Sequence, residues 1–101
     1  MTENQYMYLF IRKDLSKPQQ IIQTAHAAAK IGEKYHGDTY ATLCEANDED
    51  HLKGISEYLD KHDIDHEIFF EPDIEGYTAI ATAPLMGAAR RPMKKFQLMP
   101  C

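Results

Sequence analysis

The sequence has few cysteines, no long apolar run and little basic charge in its middle third. Its two cysteines, Cys44 and Cys101, form neither a Cys-x-x-Cys pair nor a dense disulfide framework, which favours a reducing compartment. No apolar stretch approaches the ~20 residues that span a bilayer, and the first residues lack the basic and apolar regions of a signal peptide. We therefore expect a cytoplasmic protein with no membrane partner.

The 101 residues suffice for one domain, expected over 1–101, and the apolar share of 44% is typical of globular chains. The net charge of −5 argues against nucleic acid at first sight, but it is unevenly distributed. Residues 36–76 hold 13 acids and two bases, whereas the rest of the chain has nine bases and three acids. Because local field rather than net charge steers encounters, the basic remainder allows an anionic partner.

Apolar periodicity and turn residues predict six elements in the order βαβαββ. Pro18 in the first turn and Ser16 as N-cap indicate where the first helix begins, and Asn47 or Asp48 can cap the second. The predicted strands are 5–12, 39–45, 65–71 and 76–82, the helices are 18–35 and 49–61, and 95–99 is a candidate edge strand. The order predicts an α/β fold: a mixed four-stranded sheet with helices packed on it, closed by a hairpin.

The first helix carries both an apolar set and a polar stripe. Its apolar positions recur at helical spacing: Ile21, Ile22, Ala25, Ala28 and Ala29. Gln19, Gln23, His26 and Lys30 are spaced i, i+4, i+7 and i+11 and therefore share one stripe. The surrounding alanines allow the helix to lie close to the sheet, which would bring His26 near a sheet edge or a loop. An ordinary polar face is the alternative interpretation.

Both ends of the chain resemble type II peptidyl-tRNA hydrolases. The segments that carry the resemblance are Leu9-Phe10-Ile11-Arg12-Lys13-Asp14-Leu15, Gln23-Thr24-Ala25-His26-Ala27-Ala28, Thr78-Ala79-Ile80-Ala81-Thr82-Ala83-Pro84 and Lys95-Phe96-Gln97-Leu98. The resemblance implies a three-layer fold and hydrolysis of the ester between a peptide and the 3′ ribose of tRNA, with no metal or cofactor. Such chemistry needs a group that activates water, donors for the oxyanion and cations for RNA.

The resemblance also implies roles for particular residues. The candidate catalytic residues are Gln23, His26, Lys17 and either Glu71 or Asp73. The candidate substrate-binding residues are Arg12, Asp14, Gln19, Lys30, Thr78, Arg90, Arg91, Lys94 and Lys95. The cluster of His62, Asp63, Asp65 and His66 falls at a helix-to-strand turn that would direct its side chains apart, so it is not predicted to bind metal.

The chain differs from the family at three places. Gln19 stands where the family has a lysine, the family's Asp-Ala-Gly-Arg-Thr loop is contracted to Glu71-Pro72-Asp73, and the turn before Gln23 is shorter. These differences motivate an alternative function, a non-catalytic module that retains the fold to bind tRNA or a protein. A homodimer, formed through a sheet edge or the methionines at 86, 93 and 99, also remains open.

Overall fold

The fold is a four-stranded mixed sheet with helices on both faces, given by a computed structural model that describes residues 4–96. Its elements are β1 (Tyr6–Arg12), α1 (Lys17–Gly32), β2 (Tyr40–Ala46), α2 (Glu49–Lys61), β3 (His66–Glu71), β4 (Gly76–Thr82) and a 3-10 helix (Gly87–Lys95). The predicted βαβαββ order is confirmed. Within residues 4–96, no helix has the length and apolarity needed to cross a membrane.

The strands are arranged in the order β2-β1-β4-β3. β1 pairs parallel with β2 and antiparallel with β4, and β4 pairs antiparallel with β3 as the predicted hairpin. The continuous apolar run of β1 fits this central place, since both of its faces are covered. Leu9 and Ile11 belong to the cluster beneath α1, whereas Tyr8 and Phe10 belong to the cluster beneath α2.

Capping side chains determine where the helices begin. The Ser16 hydroxyl accepts from the Gln19 backbone N–H at 3.3 Å, and Asp48 Oδ1 accepts from the His51 N–H at 2.8 Å. Both interactions satisfy N–H groups that a helix leaves without internal partners. The predicted N-caps are confirmed, with Asp48 rather than Asn47 at α2. α1 ends at Gly32, three residues before the predicted end.

The packed face of α1 does not include its two adjacent isoleucines. Ile21 is 71% exposed and Ile22 is 47% exposed, although both belong to the apolar positions at helical spacing. The buried residues of α1 are Gln20, Gln23, Ala27 and Ile31. In a hydrophobicity pattern glutamine is treated as a surface residue. Here the amides of both glutamines form hydrogen bonds within the protein, which lowers the free-energy cost of burying them.

The opposite face of the sheet carries α2 and the 3-10 helix. Leu52, Ile55 and Leu59 of α2 are buried there, as their spacing predicts, together with Met93 of the 3-10 helix. Lys95 lies in that helix and Phe96 is its C-cap, so neither belongs to the suggested edge strand, and residues 97–99 lie outside the described residues.

The thiol of Cys44 is enclosed in the α2-side cluster. It is 1% exposed, and burial raises its pKa to about 11. Because the thiolate is the reactive form, in a Cys101→Ser variant at neutral pH Cys44 should react with iodoacetamide at least ~100-fold slower than a free thiol. Mass spectrometry of the alkylated protein with and without urea measures this. Equal rates in the folded and unfolded chain would contradict the described burial.

Candidate functional site

Gln23 is the centre of a hydrogen-bonded group between α1 and the β3–β4 hairpin. Its side chain is fully buried, and its Oε1 accepts from the Thr78 hydroxyl at 2.9 Å. Its Nε2 donates to Gln19 Oε1 at 3.1 Å and to Glu71 Oε1 at 3.4 Å. A carboxylate only accepts, so the Glu71 contact fixes which side of the amide faces Thr78. One side chain therefore joins the helix to both strands.

A β-bulge directs Thr78 toward Gln23. Phe69 pairs with Ala79 and Phe70 pairs with Tyr77, so Thr78 is the extra residue on β4. Strict alternation would place Thr78 on the α2 side with Ile80, yet its hydroxyl reaches Gln23 on the α1 side. Bulges re-aim side chains in this way and are frequent next to functional sites.

His26 lies one turn beyond Gln23 on the same stripe of α1. Its ring stacks on that of Phe69, with centroids 4.9 Å apart and planes 10° from parallel. Phe69 and Glu71 are two residues apart on β3 and so share a face, which puts the imidazole and the carboxylate over the same face of that strand. β3 is an edge strand, so the expectation that His26 lies near a sheet edge is confirmed.

The structure does not bring Lys17 to this group: it begins α1 and lies on the helix face that carries Gln20 and Ile21, away from the stripe. Lys30 lies one turn beyond His26, and both lysines are exposed. Asp73 is exposed in the turn after Glu71 and lies outside the hydrogen bonds of Gln23. Of the two alternative acids, the structure therefore brings Glu71 to the stripe.

Arg12 and Asp14 form a separate ion pair where β1 ends. Arg12 Nε and Nη2 donate to the two Asp14 carboxylate oxygens at 2.9 and 2.8 Å, and its Nη1 donates to the Tyr77 carbonyl at 3.1 Å. Glu49 accepts from the Tyr77 N–H. The neighbouring glycine, Gly76, leaves room for this carboxylate, because a Cβ there would lie 2.8 Å from it. A phosphate that binds Arg12 would therefore compete with Asp14 for the guanidinium.

This pair should make a small contribution to stability that disappears in acid. The hydrogen bond from Arg12 lowers the pKa of Asp14, so the pair stabilises the fold above the unfolded-state pKa and loses this effect as pH falls through the folded-state value. Because Asp14 is 40% exposed, Asp14→Asn should lower the free energy of unfolding by at most about 1 kcal/mol at neutral pH. Urea unfolding across pH measures the difference, and one that persists in acid would contradict the account.

The four basic residues of the C-terminal segment lie on the other face of the sheet. The 3-10 helix that carries Arg90, Arg91, Lys94 and Lys95 packs with α2, opposite α1. Arg90 lies 3.7 Å from the Tyr6 ring centroid and donates to the Tyr8 hydroxyl at 2.9 Å, and Lys95 lies 4.1 Å from the Tyr58 ring centroid. Arg91 and Lys94 are exposed. These bases do not share a face with Gln23 and His26.

Sequence reasoning missed two residues that complete these groups. Phe69 supports the His26 ring, and Glu49 accepts from the Tyr77 N–H near the start of β4. The role of Phe69 could have been predicted from its strand spacing to Glu71, but no local sequence pattern marks Glu49. Among residues 4–96, no three His, Cys, Asp or Glu side chains are placed to hold a metal ion.

Together these residues provide a proton acceptor (the Glu71 carboxylate), an imidazole with two ring nitrogens (His26) and a buried amide that holds the carboxylate (Gln23). The carboxylate of Glu71 can accept a proton from water, and the exposed imidazole of His26 can donate to an oxygen that develops negative charge. Gln23 has no exposed surface, so its chemical contribution is to orient Glu71 and Thr78. Such a pair suits hydrolysis of an activated carbonyl.

Comparison with known proteins supports the fold. No family model matches the sequence, and no curated protein matches it either. A solved structure of Atu0240, a protein of unknown function from Agrobacterium tumefaciens strain C58, is similar with a TM-score of 0.69. The match covers 99% of this chain and 100% of that one at 16% sequence identity. At that identity the likeness concerns the fold alone.

Proposed function

We propose that the chain hydrolyses the ester between a peptide and the 3′ ribose of tRNA. The observation that carries the proposal is the contact of Glu71 with Gln23, beside His26, at the end of the sheet where β1 and β3 finish. Open α/β sheets commonly bind ligands outside the carboxyl ends of their strands. The resemblance of the chain's ends to type II peptidyl-tRNA hydrolases supplies the substrate class.

The proposed roles follow from what hydrolysis of an ester requires. Water attacks the carbonyl carbon, so one proton must leave the water and one must reach the ribose oxygen that departs. Glu71 accepts the first proton, and His26, which is exposed, stabilises the oxyanion and donates toward the ribose oxygen. Gln23 holds the Glu71 carboxylate through its Nε2.

Contacts with the RNA backbone come from two exposed lysines at the two ends of α1. Lys30 lies on the stripe that carries His26, whereas Lys17 begins the helix on its other side, and each can neutralise a phosphate. Arg12 contributes only where a phosphate displaces Asp14. Arg91 and Lys94, on the other face, would be reached by a more distant part of a large RNA.

The test is release of peptide from a purified peptidyl-tRNA. The wild-type chain at micromolar concentration should release peptide well above the rate in buffer, and His26→Ala should lower that rate at least tenfold. His36→Ala is the matched control, because His36 is exposed in the loop after α1 and should leave the rate unchanged. Release no faster than in buffer would overturn the enzymatic proposal.

A non-catalytic tRNA-binding module is the second candidate. It is favoured by one observation: the Gln23 amide is fully buried and bonded, as a purely structural residue would be. The module should bind tRNA without releasing peptide. Its affinity should fall steeply as salt is added, because binding releases counterions from the RNA and this release is less favourable at high salt. Absence of tRNA binding at low salt would favour a protein-binding role for the acidic segment 36–76.

A further inference from the structure

A serine hydroxyl and a histidine ring are hydrogen-bonded where α2 packs beside β3, on the face of the sheet opposite Gln23 and His26. Ser56 Oγ lies 2.8 Å from His66 Nε2. The His66 side chain is 6% exposed, whereas Ser56 is half-buried and so keeps some contact with solvent. A nucleophile and a base at this distance, with the base oriented by a third group, are the signature of covalent catalysis.

The Ile64 carbonyl is the third group, and it fixes the tautomer of the ring. Its oxygen lies 2.9 Å from His66 Nδ1, and a carbonyl only accepts, so the neutral imidazole carries its proton on Nδ1. Nε2 then holds the lone pair, and the Ser56 hydroxyl donates to it. The hydroxyl is therefore bonded to the one ring nitrogen that can remove its proton.

A carboxylate lies beside the nitrogen that would take this proton. Asp60 is one turn beyond Ser56 on α2, and its Oδ1 is 3.9 Å from His66 Nε2. The Asp60 side chain is 75% exposed, so it approaches the buried ring from the solvent side. Once the ring has gained a proton, the negative charge of Asp60 stabilises it.

An apolar strip on the edge strand β3 leads away from the pair. Ile68 and Phe70 follow His66 at two-residue steps and share its face of the strand. Phe70 is 48% exposed and packs edge-on against Tyr77, which belongs to the α2-side cluster. From His66 to Phe70 the strip extends over roughly 13 Å. An acyl chain can cover it with its carbonyl carbon at Ser56.

From these features we infer that Ser56 is the nucleophile of a separate site that cleaves esters of apolar carboxylic acids. Ser56 Oγ bonds to the carbonyl carbon, and its proton passes to His66 Nε2. The bond from that carbon to the alcohol oxygen then breaks, and His66 returns the proton to the departing alcohol. Water attacks the acyl group on Ser56 in the same way, which releases the acid and restores the hydroxyl. This site does not rest on the proposed function.

An octyl fluorophosphonate tests the assignment, because attack by Ser56 on phosphorus expels fluoride and leaves a stable label. The chain has two serines, so Ser16, exposed at the start of α1, is an internal control. Mass spectrometry of peptides from the labelled full chain should find Ser56 labelled at least about 100-fold faster than Ser16, since a general base contributes roughly 10²–10⁴. Equal rates at the two serines, or no label on Ser56, would overturn the proposal.

The base is tested by His66→Gln, which keeps an acceptor for Ser56 but removes the proton-accepting nitrogen. Labelling of Ser56 should fall at least about tenfold. His36→Gln makes the same change in the exposed loop after α1 and should leave the rate unchanged. Undiminished labelling in a folded His66→Gln would overturn the proposal, and if that variant does not fold, the comparison of the two serines in the wild-type chain still decides.

The substrate class is tested by the length of the probe. The octyl fluorophosphonate should label wild-type Ser56 at least about threefold faster than its methyl analogue, because the longer chain covers apolar surface. Phe70→Ala should reduce this preference without changing the rate of the methyl probe. Equal rates for the two probes on the wild-type chain would overturn the assignment to apolar esters.

Discussion

Replacing Glu71 by glutamine should lower the rate of peptide release by at least about 100-fold, because general-base catalysis contributes roughly 10²–10⁴ to such reactions. The substitution preserves the shape of the side chain and an oxygen that accepts from Gln23 Nε2, which lies 3.4 Å from the Glu71 carboxylate. The fold should therefore be retained, with the midpoint of thermal unfolding little changed. The rate is measured as peptide freed from a labelled peptidyl-tRNA under saturating enzyme.

Asp73→Asn provides the matched control for that substitution. It removes the same charge two residues away, but Asp73 is exposed in the turn and outside the group around Gln23. The rate should stay within about threefold of wild type. A large loss in Asp73→Asn together with an active Glu71→Gln would assign the acid to the turn and contradict the arrangement proposed.

Replacing Phe10 by alanine should lower the free energy of unfolding by about 3–5 kcal/mol, as large-to-small changes of buried aromatic residues do. Phe10 is fully buried in the central strand β1, and its ring meets that of Phe96 edge-on at 4.8 Å between centroids. Its removal leaves a cavity between the sheet and α2 and also deletes that aromatic contact. Urea unfolding followed by circular dichroism measures the change.

Phe70→Ala is the comparison for Phe10→Ala. Phe70 leaves 48% of its surface exposed and contacts the Tyr77 ring edge-on at 5.2 Å, so its truncation should cost about 1 kcal/mol or less. Similar losses in the two variants would mean that the α2 side is not the packed core described. This pair of measurements concerns the fold and is independent of any activity.

The order of helices and strands could be predicted from the sequence because each element is marked by local sequence features. β1 is apolar throughout since both its faces are covered, and Ser16 and Asp48 cap helices through local backbone contacts. The hairpin follows from a short turn between two strand-like runs. Such features depend on neighbours in the chain, which a single sequence displays directly.

The packed face of α1 and the direction of the Thr78 side chain could not be predicted from local sequence signals. Gln20 is buried with its Nε2 bonded to carbonyls of the preceding turn and Gln23 with its amide bonded to the hairpin, whereas Ile21 is 71% exposed. The bulge that turns Thr78 toward Gln23 depends on the register of β3 against β4. These outcomes are set by tertiary contacts, which outweigh the periodicity of a short segment.

The candidate site was predictable in part for the same reason. The helical spacing of Gln23 and His26 placed them on one stripe, and the structure keeps them there. That Glu71 rather than Asp73 reaches the stripe depends on how the hairpin lies against α1. The separation of Arg90, Arg91, Lys94 and Lys95 from that stripe follows from the chain crossing to the α2 face after β4, which charge counting along the sequence does not reveal.

The most direct test of the proposed site is a single-turnover comparison of wild type and Glu71→Gln on one peptidyl-tRNA preparation, with tRNA binding measured on the same samples. Both proteins should bind the RNA with similar affinity, the wild type should release the peptide, and the variant should release it at close to the rate in buffer. Wild-type protein that binds the RNA and leaves the ester intact would contradict the proposed site.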